Sequence, residues 1–232
     1  MRSADIDQVR PLPLFRGMAP ARFDELVAGA MLQRFPAHVE LIREGDRPDF
    51  LYILFDGLIE LYSERDDDEL GFLLLRPFSA FIMAAVVRDM LYLNSARTLS
   101  PARVLMIPAD AVRAAIEAEP VFGRAIMHAL AVDYRRVLKE LKDRKFRPTI
   151  ERLANWLLRE MEPKGDGGAL RLPFDKRKLA AHIGTTPENL SRTFAALGAH
   201  GVGAQGREIV IANTAQLTLI ARPDPLIDDP QT

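Results

Sequence analysis

Cysteine is absent from this 232-residue chain. Its absence excludes disulfides, thiolate zinc sites, cysteine-ligated iron–sulfur clusters and cysteine nucleophiles together. Long apolar runs are missing too, and nothing approaches the roughly 20 residues needed to cross a bilayer. The N-terminal stretch MRSADIDQVRPLPLF has no apolar segment of the kind a signal peptide carries, so a cytoplasmic protein is expected. Neither sign of charge dominates. The 31 Lys and Arg against 32 Asp and Glu leave a net charge of −1, which excludes binding to nucleic acid through overall basicity. There is no Gly-rich phosphate loop, no HExxH and no GxSxG. Ser95, Asp110 and the 4 histidines form no recognisable constellation. No enzyme and no metal site are expected.

What is present is apolar substance: 48% of the residues are hydrophobic, enough to build one large or two medium domains. The most informative stretch is FDKRKLAAHIGTTPENLSRTFAAL, from Phe174 to Leu197. Asp175 suits the cap of a first helix containing Lys178, Leu179, Ala180 and Ile183, and Gly184 allows a tight turn. Thr186 then suits the cap of a second helix, with Pro187 at its first position, where a missing N–H costs nothing. Leu190, Phe194 and Leu197 share one face of that helix. Glu188, Ser191 and Arg192 fall on the other, near its start. That is the part of a recognition helix that meets base edges in the major groove. Arg suits guanine O6 and N7, Glu suits cytosine N4, and Ser suits several edges or a phosphate. Lys176, Arg177 and Lys178 add local basic charge, with Arg171 and Arg207 near in sequence. Cations are disfavoured at a helix start, so their presence there points to an anionic partner, double-stranded DNA.

The rest of the chain fits around this motif. PARFDELVAG (residues 20–29) reads as a short amphipathic helix. Between Met31 and Ile107, short apolar runs alternate with turn signals at Glu44-Gly45-Asp46, Asp56-Gly57, Asp66-Asp67-Asp68 and Arg76-Pro77, the texture of an antiparallel sandwich or barrel. The triple Asp reads as a solvated hairpin tip. Pro108 to Glu119 reads as a helix, and a longer one is expected from Pro120 to about Phe146. In the long helix Met127, Leu130, Tyr134, Val137 and Leu141 step by three and four, a heptad seam with charged flanks. That seam predicts a homodimer. Arg147-Pro148 ends the helix. Thr149 to Met161 reads as a further helix with Trp156 in the core, Lys164 to Gly168 as a loop, and GALRLPF as a strand. Gly201 to Thr214 reads as a hairpin turning near Gln205-Gly206, and the Pro- and Asp-rich tail ARPDPLIDDPQT as loose or weakly packed.

This order, with TPENLSR on the second helix of the turn, resembles the CRP/FNR family of bacterial transcription regulators from about Leu14 to Ala221. The resemblance implies an α+β chain in three parts. Residues 14–119 form a cyclic-nucleotide-binding-like β-roll, 120–147 a dimerisation helix, and 148–221 a winged helix-turn-helix that binds DNA. Members with Glu-x-x-Ser-Arg on the recognition helix imply a TTGA-type half-site here, with Arg192 and Glu188 on the G·C pair and Ser191 on a neighbouring thymine. RNA polymerase is the implied protein partner.

The roll departs from the members that bind cyclic AMP. Those use a Gly-Glu pair and an Arg-Ser or Arg-Thr pair. Here no Gly-Glu occurs between Phe78 and Val87, Tyr92-Leu93 stands where the Arg pair is placed, and Arg88 and Arg97 lie out of register. A buried phosphate facing no cation is costly, so tight cyclic AMP binding is not expected. The pieces YL-x-SARTL, TPENLSRTFAAL-x-x-HGV and PLID are similar to the NnrR and HbaR groups. That similarity opens a heme-based gas sensor, with His38 or His128 as candidate axial ligands and the apolar Phe78–Val87 stretch as either pocket or plain core. His182 and His200 read as surface or packing residues. An apo-roll answering another ligand is the alternative. Two other classes stay open: a ligand-binding signalling module that acts through a protein partner without DNA, and an enzyme.

Overall fold

Strand FLYILFD carries apolar side chains on both of its faces, and the roll is organised around it. In the computed structural model, which describes residues 3–65 and 68–229, this is β3 (Phe50–Asp56). It pairs antiparallel with β8 (Ala102–Pro108) and β6 (Ala80–Phe81), and β1 (Met31–Phe35) lies on the far side of β8, giving the order β1-β8-β3-β6. A second sheet has the order β2-β7-β4-β5, from β2 (Glu40–Ile42), β4 (Ile59–Arg65), β5 (Asp68–Leu75) and β7 (Ser95–Thr98). Successive side chains of a strand point to opposite faces, so β3 feeds two cores. Tyr52 and Leu54 join Val104, Ile42, Ile59, Leu75, Phe81, Tyr92 and Ala96 in one of them. Leu51, Ile53 and Phe55 join the other, together with Leu105, Ile107, Phe15, Phe23, Leu26, Val112, Phe122 and Ile126.

The helical residues of that second core come from α2 (Pro20–Val27), α4 (Ala109–Ala118) and the start of α5 (Pro120–Phe146), with Val9 from α1 (Ser3–Val9) and Phe15 from a short 3-10 turn. The short α3 (Met83–Arg88) adds Met83 and Val86. Each large side chain buried this way contributes roughly 1.5–3 kcal/mol.

The chain divides into two compact units, Met1–Tyr134 and Arg135–Thr232. The second is built on α6 (Thr149–Glu160), α7 (Lys176–Ile183), α8 (Pro187–Gly198), α9 (Thr214–Ala221) and a four-stranded sheet. That sheet has the order β11-β12-β10-β9, from β9 (Glu162–Lys164), β10 (Gly167–Arg171), β11 (Val202–Gln205) and β12 (Glu208–Ile211). Leu153, Trp156 and Leu157 of α6 are buried with Leu179, Leu190, Leu197 and Leu217. The buried Asn155 donates through Nδ2 to the Ala221 carbonyl at 2.6 Å, tying α6 to α9.

Two expectations change. The stretch expected as a loop at 164–168 is instead the end of β9, a two-residue turn at 165–166 and the start of β10, which pairs with β9 on one side and β12 on the other. The tail expected to be loose or weakly packed forms α10 (Pro225–Asp228), capped by Asp224, whose side chain accepts from the Leu226 amide. Leu130 of the α5 stripe is half-buried, with part of its side chain packed against the first unit's core. Asp66 and Asp67 of the proposed hairpin tip lie outside the described residues, and Asp68 starts β5.

Candidate nucleic-acid interface

The helix-turn-helix is held by the local devices its sequence suggests. The Asp175 side chain accepts from the Lys178 amide at 2.9 Å and starts α7. Gly184 closes α7 with φ 73°, a left-handed backbone that glycine adopts without a Cβ penalty. Thr186 Oγ1 accepts from the Asn189 amide at 3.2 Å and starts α8, with Pro187 at its first position. Leu190, Phe194 and Leu197 are buried. Glu188, Ser191 and Arg192 are all exposed. Spaced i, i+3 and i+4, they lie side by side on one face of the helix.

The charge at this face is anionic at the helix start and cationic one turn later. The Glu188 carboxyl is held below its ordinary value, first by its own backbone amide, then by the Thr186 hydroxyl, with a smaller contribution from Arg192. It is therefore ionised and acts as an acceptor only. Arg192 has no hydrogen-bond or ion-pair partner among the described residues. Arg177 is exposed, whereas the Lys176 ammonium lies 5.2 Å from the centre of the Phe194 ring. Arg171 stands directly across the β10–β12 ladder from Glu208. The expected wing is the β11–β12 hairpin, turning through Gly206 at φ 56°.

Sequence reasoning missed a set of side chains that hold the turn in place. Arg152 on α6 donates to the Ile183 carbonyl at 3.0 Å, the Gly184 carbonyl at 3.2 Å and the Arg147 carbonyl at 2.8 Å. Asn189 on α8 donates to Thr185 Oγ1 at 2.7 Å and Thr149 Oγ1 at 3.3 Å. The only local signal is the Thr185–Asn189 spacing of one helical turn; the Arg152 bonds to Ile183 and Gly184 span more than thirty residues and leave no local pattern.

Of the α5 seam, Met127, Tyr134, Val137 and Leu141 are between 50% and 69% exposed, and Val132 and Leu138 beside them are exposed as well. The 27-residue α5 thus carries a stripe of uncovered apolar side chains.

The roll offers a different kind of chemistry. Tyr92 is buried in the core between the sheets, and its hydroxyl has no hydrogen-bond partner among the described residues. Arg97 is tied up: it donates to Glu60 Oε2 through Nε at 2.9 Å and Nη2 at 2.7 Å, and its guanidinium lies 4.1 Å from the centre of the Tyr62 ring. Arg88 is exposed at the end of α3. Phe78 is exposed, while Phe81, Met83 and Val86 are core residues, so most of that apolar stretch serves packing. His38 and His128 are both exposed. His182 packs edge-on against Trp156 at 6.2 Å, and His200 is half-buried. No cluster of three or more His, Cys, Asp or Glu suited to a metal occurs among the described residues.

Comparison with known proteins bears on both units. Residues 151–220 match the model of the Crp-like helix-turn-helix domain, and residues 32–119 match that of the cyclic nucleotide-binding domain. The chain belongs to the CRP/FNR family of regulators. It is 25% identical over 215 residues to the CRP-like cAMP-activated global transcriptional regulator of Mycobacterium tuberculosis, covering 90% of this chain and 96% of that protein. Its fold is that of FixK2 from Bradyrhizobium japonicum, with TM-score 0.71, 19% identity, and coverage of 84% of this chain and 98% of that one. A crp/fnr-family protein of Eubacterium rectale superposes with TM-score 0.76 at 17% identity over 91% of this chain and 99% of that one. The CRP/FNR domains seen here are those of DNA-binding transcription regulators rather than enzymes. No helix among the described residues is long and apolar enough to cross a membrane.

Proposed function

We propose that this CRP/FNR regulator works as a homodimer on a palindrome of TTGA-type half-sites. The observation that carries the reading is the exposed triad of Glu188, Ser191 and Arg192 at the start of a capped α8. In this reading Arg192 and Glu188 take the G·C pair and Ser191 the adjacent thymine. Thr186 fixes the helix start, and Lys176 and Arg177 meet the backbone phosphates. The two copies pair along α5 through Met127, Tyr134, Val137 and Leu141, with Leu130 contributing at the edge where it leaves its own core. Two-fold pairing suits half-sites about 34 Å apart. RNA polymerase as partner and a cytoplasmic location belong to the same reading, as does kinship with the NnrR and HbaR groups.

The roll is the sensor, and its effector is not cyclic AMP held by the contacts other members use. The position expected to supply a phosphate-binding Arg is filled by the buried Tyr92, and the nearby Arg97 is neutralised by Glu60. Moving Arg97 to a phosphate would strand a buried carboxylate. Heme through His38 or His128 has no support from their exposed positions.

One experiment addresses dimer, operator and effector together. Wild-type protein should bind a TTGA palindrome duplex with an affinity that falls steeply with salt, as phosphate contacts release counterions. Added cyclic AMP should leave that affinity unchanged. Val137→Glu should sediment as a monomer and bind the same duplex roughly 100-fold more weakly, because the second half-site no longer benefits from a tethered partner. A monomeric wild type, or a Val137→Glu protein that binds as well as wild type, would overturn the reading.

A further inference from the structure

The end of α5, the hinge at Arg147-Pro148 and the C-terminal tail meet in one charged knot. Arg147 is buried, its side chain only 5% exposed. It donates to Asp143 Oδ1 at 2.9 Å, to Asp228 Oδ1 at 2.9 Å and to Asp228 Oδ2 at 2.5 Å. Asp228, 13% exposed, also receives Arg159 Nη1 at 3.2 Å and the Asp224 backbone amide at 2.7 Å. The adjacent Asp229 carbonyl accepts from Lys139 Nζ at 2.6 Å, two turns back along α5. A four-residue helix at the end of the chain is thus fastened at two points to the last turns of α5.

The same hinge residue faces the other way as well. The Arg147 carbonyl accepts from Arg152, whose remaining donors hold the Ile183 and Gly184 carbonyls at the turn before α8. The Arg144 side chain lies within 3.3 Å of where a Cβ on Gly184 would sit. From α5 to the recognition helix, the chain of contacts therefore runs Asp228, Arg147, Arg152, turn. Burial favours the neutral form of the Asp228 carboxyl, but the hydrogen bonds from Arg147 and Asp224 outweigh it, so the group stays ionised.

We infer that the C-terminal segment Asp224–Asp229 is a strap, and that Asp228 is a positioning residue for DNA recognition: by clamping Arg147 it fixes the angle at which α5 hands over to the helix-turn-helix. Removing Asp228 leaves the buried Arg147 charge only partly compensated, by Asp143, and weakens the clamp at the hinge. With the strap released, each recognition helix stays folded but loses its fixed direction relative to α5. Binding to a single half-site should then survive, whereas binding that needs two helices in register should not.

This inference rests on the dimer reading above, and the test separates the two. Asp228→Asn and a chain ending at residue 223 are compared with wild type on three duplexes: a palindrome, the same palindrome with one base pair inserted at its centre, and a single half-site. Wild type should favour the palindrome strongly over both others. The two variants should lose roughly tenfold or more on the palindrome, part of the advantage a rigid bivalent geometry confers. They should bind the half-site within about twofold of wild type and discriminate less between the two spacings. If wild type itself shows no preference for the palindrome, the dimer reading fails. If wild type shows the preference and both variants keep it in full, the strap has no role in positioning. If half-site and palindrome binding fall together, Asp228 acts on the stability of the winged helix and the inference is equally wrong. Amide hydrogen exchange gives a second readout independent of binding. Faster exchange in Asp228→Asn is expected over residues 143–152, with α8 unchanged, and unaltered exchange at the hinge would contradict the strap.

Discussion

Arg97 and Arg192 are the same side chain put to opposite uses in the two units. Arg97 sits in the roll, 18% exposed, with two of its nitrogens on a Glu60 carboxylate that is itself only 5% exposed. Directly across the ladder, Arg97 also faces Glu40, whose carboxylate accepts from the Tyr62 hydroxyl at 3.0 Å. Its charge is spent inside the protein. Arg192 stands on the open face of α8, beside a Glu188 whose carboxylate is already committed to its ionised form by the helix start. Its donors are available to something outside the protein. The contrast shows that a charged residue in this fold is informative only when its partners are known. By sequence alone, Arg97 is an arginine out of register with the phosphate-binding pair; its geometry makes it a structural ion pair.

Mutation should separate the two roles cleanly. Arg97→Ala leaves Glu60 buried without its cation and should cost about 3–5 kcal/mol in unfolding free energy, the usual penalty for breaking a buried pair on one side. Urea titration measures it. The folded fraction should keep wild-type sequence preference, because the change lies in the other unit from α8. A loss below about 0.5 kcal/mol, the range of ordinary surface substitutions, would mean that Arg97 is not held as described. A smaller effect is expected at the recognition helix itself. Thr186→Ala removes the hydroxyl that caps α8 and should destabilise by about 1 kcal/mol. It should also let the Glu188 carboxyl rise towards its ordinary range, since the Thr186 hydroxyl is one of the groups holding it down. With its pKa below normal, Glu188 stabilises the fold above the ordinary carboxylate range and loses that contribution as pH falls through its folded value. Proton titration of the Glu188 side chain in wild type and variant tests this, and an unshifted carboxyl would remove Thr186 from its surroundings.

How much of this the sequence could tell depends on the range of the interactions. The helix-turn-helix is written in short-range chemistry: Asp175, Gly184, Thr186 and Pro187 each act within four residues of themselves, so the helix starts and stops were legible. The exposed triad followed from helical spacing alone. The long α5 was legible for the same reason, while the packing of Leu130 on the first unit's core was not. The roll's strands could be read as strands, but not their order. The β3–β8 pairing joins Leu51 to Ile107 across more than fifty residues, and no local signal encodes it. The tail's order was only partly legible: Pro and Asp suggest a loose or weakly packed end, whereas Pro225 starts a helix and Asp228 meets an Arg 81 residues away. Charge complementarity over such a distance is visible only once the fold brings the partners together.

The central claim is that the exposed face of α8 reads bases, and Arg192→Ala tests it most directly. Wild type and variant are each used to select from a pool of duplexes randomised across the operator, and the bound sequences are compared. The variant should stay folded and keep its overall salt dependence. It should lose about 1–3 kcal/mol of discrimination at one G·C pair in each half-site, symmetrically about the centre. A variant whose selected sequences match those of wild type at every position would contradict the assignment of α8 as the reading element.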